Sequence, residues 1–107
     1  MNKRILVTGS SRGIGKAIAI ELAKAGFDVT VHARSRQQEA EQVAEEIKSF
    51  GRNSHVLMFD VNERENILHI LEKDVADHGA FYGVVLNAGL TRDGAFPALT
   101  DEDWDHV

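Results

Sequence analysis

Apolar residues fall in short blocks whose period changes along the chain. Ile5-Leu6-Val7 is continuous, and residues 4–8 are expected to form a strand. From residue 14 to 25 the period becomes helical, with Ile14, Ala17, Ile18, Leu22 and Ala25 on one face and Lys16 and Lys24 off it. Gly26 ends that helix, and the β-branched run Phe27 to Ala33 predicts a second strand. A helix follows from Gln37 to Phe50, striped by Ala40, Val43, Ala44 and Ile47 opposite Glu39, Glu41, Glu45 and Glu46. After Gly51, His55 to Phe59 predicts a third strand and Asp60 a turn. Ile67, Ile70, Leu71 and Val75 mark a third helix closed by Gly79, and Phe81 to Leu86 a fourth strand. A loop with Gly89, Gly94 and Pro97 leads to Thr100-Asp101-Glu102-Asp103, which has the capping residue and acids of a helix start.

Strands alternating with glycine-terminated helices predict an α/β fold: a three-layer, doubly wound parallel sheet of the Rossmann kind, in strand order 3-2-1-4. Such a fold is assembled from two similar halves, and these 107 residues supply one. Strand 82–87 would be left as an apolar edge, and Val107 falls in a helix barely begun. The expectation is therefore that residues 1–107 are the N-terminal part of a single nucleotide-binding domain in a longer protein.

Composition narrows the function classes. Hydrophobic content of 43% and charged content of 27% are ordinary for a globular chain. No apolar run approaches the roughly 18 residues of a membrane span, and the run after Met1-Asn2-Lys3-Arg4 is too short for a secretory signal. A cytoplasmic protein without membrane contact is expected. The absence of cysteine excludes disulfides and thiolate metal sites, and a net charge of −5 argues against nucleic acid. The histidines (His32, His55, His69, His78 and His106) show no metal-ligand spacing, so no metal site is expected; His32, alternating with core positions, reads as structural.

Candidate chemistry concentrates at Thr8-Gly9-Ser10-Ser11-Arg12-Gly13-Ile14-Gly15, between the first strand and the first helix. A helix N-terminus presents free N–H groups and partial positive charge, and glycines let a backbone approach a diphosphate. The spacing is G-x-x-x-G-x-G rather than the common G-x-G-x-x-G. A ribose-binding acid is expected about 20 residues further on. Arg34 and Arg36 stand there instead, and guanidinium donors suit a 2′-phosphate. Arg12 could reach the same group. This favours NADP(H) over NAD; a solvated turn is the other reading of the two arginines. Asp60 ends the third strand, where its carboxylate either accepts from an adenine amino group, with Val61 lining the ring, or serves the turn before the third helix. Asn87-Ala88-Gly89 ends the fourth strand, with room for a ligand or simply a turn.

The T-G-x-x-x-G-x-G turn with a downstream Asn-Ala-Gly resembles the short-chain dehydrogenase/reductase family, across essentially the whole chain. Asn87-Ala-Gly-Leu-Thr-Arg-Asp93 followed by Asp101-Glu-Asp-Trp-Asp105 is similar to the 3-oxoacyl-[acyl-carrier-protein] reductases in that family. Leu86 stands where that group usually has Asn, which leaves fatty-acid and more specialised ketoreductases open. The resemblance implies that Gly9, Gly13 and Gly15 shape the pyrophosphate turn and that Ser11, Arg12 and Ile14 contact the cofactor. It implies that Arg34 takes the 2′-phosphate, Asp60 and Val61 frame the adenine, and Asn87, Ala88 and Gly89 line the ribose and the path to the nicotinamide. It also implies reduction of a ketone on an acyl-carrier-protein-bound substrate, in a homotetramer. The family's catalytic Ser and Tyr-x-x-x-Lys would lie beyond this stretch: Tyr82 is the only Tyr, with no Lys four residues on. Residues 1–107 alone are expected to be inactive, and a non-catalytic cofactor-binding subunit is the alternative reading.

Overall fold

The computed structural model describes residues 3–60 and 62–87. The elements run β1 (Arg4–Val7), α1 (Gly13–Lys24), β2 (Asp28–Ala33), α2 (Gln37–Ser49), β3 (Ser54–Met58), α3 (Arg64–His78) and β4 (Gly83–Val85). Every strand pair is parallel and the order is β3-β2-β1-β4, as the alternation of elements predicts. Leu6 aligns with Thr30 on one side and Val84 on the other, so β1 is central and β4 lies at the edge. The expected loop with Gly89, Gly94 and Pro97, and the expected helix start at Thr100, lie outside the described residues.

Two apolar clusters make the three layers. On one face, Ile5, Val7, Val29 and Val31 pack against α1 and α2. On the other, Leu6 joins Phe59, Phe81 and the α3 residues Ile67 and Leu71. Alternation along β1 sends Leu6 to one side and its two neighbours to the other, the period-two geometry of a strand. In α2 the expected stripe is the buried one, Ala40, Val43, Ala44 and Ile47.

The buried face of α1 is a correction. Ala17 and Ala25 are exposed, and Ile14 is 74% exposed; Gly15, Ala19, Ile20 and Ala23 are buried, with Ile18 and Leu22 partly so. Small residues spaced four apart form the contact row, which lets the helix lie close to the sheet. Ile18 and Leu22 of the expected face do pack on the core, while Ile14, Ala17 and Ala25 do not; apolar residues occur on both sides of this helix, so period alone set the buried face part of a turn off. Ends also shift slightly: β4 is confined to Gly83–Val85, shorter than Phe81 to Leu86.

Candidate functional site

At the C-terminal end of β1 the chain turns through Thr8 to Arg12 into α1. Gly9 and Gly13 have φ of 61° and 64°, conformations in which a side chain would be strained. A Cβ on Gly13 would meet nothing within 4 Å, so the backbone there faces open space. Gly15 differs. A Cβ on it would sit 2.5 Å from Asn87 Nδ2 and closer still to the Gly9 carbonyl oxygen. Two glycines therefore shape the turn, and the third lets α1 press onto it.

Two further contacts fix the loop. Ser10 is fully buried; its Oγ donates to the Val7 carbonyl at 2.7 Å and accepts from the His32 N–H at 3.0 Å. The Gly9 N–H donates to His32 Nδ1 at 2.9 Å, and His32 Nε2 lies 2.9 Å from the Phe59 carbonyl. Because Nδ1 accepts, Nε2 must carry the proton and donate to Phe59. The His32 imidazole, on β2, is thus a neutral bridge from Phe59, just past β3, to the glycine loop. Burial pushes its pKa below the ordinary value, against a smaller opposing pull from the Phe59 carbonyl. The structural role expected for His32 is the one the structure gives it.

Asn87 closes the other side. Its Nδ2 donates to the Gly9 carbonyl at 3.2 Å and its backbone N–H to Thr8 Oγ1 at 2.8 Å. The end of β4 is thereby tied to the turn after β1.

A cavity of about 650 Å³ opens above this loop, lined by Gly9, Ser11, Arg12, Gly13, Ile14, Arg34 and Asn87 among the expected site residues, with Ala33, Ser35 and Arg36. No side chain caps α1, whose N-cap is Arg12, and its first turn has no acid. Among the described residues, three arginines and no carboxylate line the space, a donor set that suits an anionic ligand. The strong exposure of Ile14 is intelligible here, since its side chain borders the cavity. Arg36, with φ of 60°, is the N-cap of α2 and sits 3.7 Å from Glu39.

Not every expected residue joins this wall. Gly15 lies behind the loop. Asp60 is not among the cavity residues: its Oδ1 accepts from the Asn62 N–H at 2.9 Å, and its Oδ2 stands 3.5 Å from Arg34 Nε. It serves the turn before α3, whose N-cap is Glu63, and holds Arg34 at the cavity rim. Val61, Ala88 and Gly89 lie outside the described residues.

A glycine turn with this spacing thus opens α1 beside Asn87, two residues past β4. The family model for short chain dehydrogenases matches residues 3–107. The chain belongs to that family. It is 64% identical over its whole length to the 3-oxoacyl-[acyl-carrier-protein] reductase FabG of Aggregatibacter actinomycetemcomitans, covering 44% of that protein. It is 37% identical to the reductase of the same name from Staphylococcus aureus (strain Mu50), again covering 44% of it. Among solved structures, acetoin dehydrogenase from Enterobacter cloacae superposes with a TM-score of 0.78 at 33% identity, over 85% of this chain and 36% of that one. The chain thus spans under half the length of these short-chain dehydrogenase relatives.

One cluster escaped the sequence reading. His55, Asp74 and His78 offer ligand atoms within 4.8 Å of one another, although the histidine spacing predicted no metal set. Asp74 and His78 are four residues apart on α3, and that pair was the available signal. Asp74 is buried, which alone would raise its carboxyl pKa; hydrogen bonds from His55 and Arg4, and the Arg4 charge, outweigh this and hold it below the usual carboxylate range.

Proposed function

We propose that this chain is the NADP(H)-binding half of a longer reductase that converts a 3-oxoacyl thioester on acyl carrier protein to its 3-hydroxyacyl product. The observation that carries the cofactor reading is the cavity over the uncapped end of α1, rimmed by Arg12, Arg34 and Arg36 and, among the described residues, free of lining carboxylates. Backbone groups from Ser11 to Ile14 would hold the diphosphate, and the space beside Gly13 leaves room for it. Arg34 would grip the 2′-phosphate. Its partner is Asp60 at 3.5 Å, an exposed guanidinium on a half-buried carboxylate, and this pair costs about 0–1 kcal/mol to give up. Asp60 and Val61 would flank the adenine, with Asn87, Ala88 and Gly89 along the ribose. Ile14 would cover the cofactor with its exposed side chain. The bound nicotinamide would supply hydride to the substrate ketone. The proton donor of such a reductase, and the homotetramer expected of it, belong to the rest of the protein, which we place in the cytoplasm.

The substrate reading rests on the 64% identity to a reductase named for 3-oxoacyl-acyl carrier protein. The test is a pair of titrations on the full-length protein, NADPH and NADH, for wild type and Arg34→Ala. Loss of a charge-assisted hydrogen bond of about 1.5–3 kcal/mol should weaken NADPH roughly 10- to 150-fold and leave NADH nearly unchanged. Equal losses for both nucleotides would refute the 2′-phosphate role. Turnover of a 3-oxoacyl-acyl carrier protein with NADPH tests the substrate; no turnover would refute it.

A further inference from the structure

The N-terminal end of the sheet, away from the glycine loop, carries a second constellation. His55 is the second residue of β3, and Asp74 and His78 stack one turn apart near the end of α3. The Asp74 carboxylate is divided between two partners. Oδ2 accepts from Arg4 Nη1 at 2.6 Å, and Oδ1 faces His55 Nε2 at 2.6 Å. The His55 and His78 rings stack with centroids 4.2 Å apart. A cavity of about 350 Å³ opens here, bordered by both histidines, Arg4, Thr30, Asn53 and Ser54.

We propose that His55, Asp74 and His78 form a binding site for one divalent transition-metal ion of the Zn²⁺ class. Two imidazole nitrogens and one carboxylate oxygen suit such an ion, and water from the cavity supplies the remaining position. Magnesium and calcium are disfavoured, because they require several oxygen ligands. On binding the ion, His55 gives up the Nε2 proton it donates to Asp74 and coordinates through Nε2 as the tautomer protonated on Nδ1, and Asp74 coordinates through Oδ1. Arg4 keeps Oδ2, so the carboxylate is oriented by a partner outside the metal's own ligands, as ligating side chains usually are. The Arg4 charge opposes the ion and moderates its affinity. Ligands of tetrahedral zinc stand about 3.3 Å apart, given bonds of about 2.0–2.1 Å. The three donor atoms lie within 4.8 Å, and His78 is exposed, so its ring can swing inward while the His55–Asp74 contact opens. Bound metal would clamp β3 to α3 at the end of the sheet remote from the nucleotide cavity.

The experiment is a calorimetric titration of the chelator-stripped, full-length protein with Zn²⁺, and with Mg²⁺ as the oxygen-preferring probe. Thermal unfolding is followed with and without metal. Wild type should bind one Zn²⁺ at this site and unfold at a higher temperature when loaded. His78→Ala removes a ligand but leaves the Arg4–Asp74–His55 contacts in place, so it should fold and bind Zn²⁺ at least tenfold more weakly. His69→Ala, changing an exposed histidine outside the cluster, should bind as wild type does. No Zn²⁺ binding by wild type, binding unaffected by His78→Ala, or equal response to Mg²⁺ would each overturn the proposal.

Discussion

Replacing His32 by Phe tests how the glycine loop is held in place. The imidazole is 3% exposed and packs on the Phe59 ring with centroids 4.0 Å apart, so a phenyl ring keeps most of the packing. It loses both hydrogen bonds, the one accepted from Gly9 and the one donated to Phe59. Two net bonds of about 0.5–1.5 kcal/mol each, plus about 1–3 kcal/mol for a Gly9 N–H deprived of its acceptor, give a loss of about 2–6 kcal/mol. The pH dependence supplies an independent signature. The native imidazole is held neutral by burial, with a pKa below the 6.5 of a free side chain. As pH falls below about 6.5 the unfolded chain takes up a proton that the native protein resists. Stability from this group is therefore complete above that value. It declines toward the lowered native pKa by up to about 1.4 kcal/mol per pH unit. Urea unfolding of the full-length protein across this range, wild type against His32→Phe, isolates the effect because the remaining histidines are common to both. The difference in stability should shrink in acid. NADPH affinity of the variant should fall about tenfold, equivalent to roughly 1.4 kcal/mol of lost loop ordering. Equal stability at neutral pH, with parallel pH curves, would refute the bridging role of His32.

Gly15→Ala should displace α1 from the loop, since the new Cβ meets backbone and the Asn87 side chain; overpacking of about 1–3 kcal/mol and weakened NADPH binding are expected in calorimetry and nucleotide titration. Wild-type stability would contradict this. Arg4→Met takes the guanidinium from a carboxylate whose side chain is 3% exposed, and should cost about 3–5 kcal/mol in denaturant unfolding. A loss below about 1 kcal/mol would show that the pair is solvated. Asn87→Ala cuts the side-chain tie to the Gly9 carbonyl while keeping the backbone bond to Thr8, so a modest loss of about 0.5–1.5 kcal/mol is expected by the same unfolding measurement.

The parts of the fold legible in the sequence are those carried by local period. Ala40, Val43, Ala44 and Ile47 form one stripe against a run of glutamates, and that helix has the expected buried face. Where both sides of a helix are apolar, as in α1, period is uninformative and packing of Gly15, Ala19 and Ala23 decides. The glycine loop, Arg12, Arg34 and Asn87 were legible because adjacent elements bring them to one cavity. Asp60 had two readings, and its contacts with Asn62 and Arg34 are those of the turn before α3. The Arg4–Asp74–His55 network was invisible, because residues 70 apart in sequence meet only once the sheet has formed.

The most direct test of the account is a crystal structure of the full-length protein with NADPH. The diphosphate should lie over the backbone of Ser11 to Ile14, with the Arg34 guanidinium turned from Asp60 to the 2′-phosphate. Nucleotide bound away from this loop, or a 2′-phosphate that no arginine of the cavity touches, would contradict it.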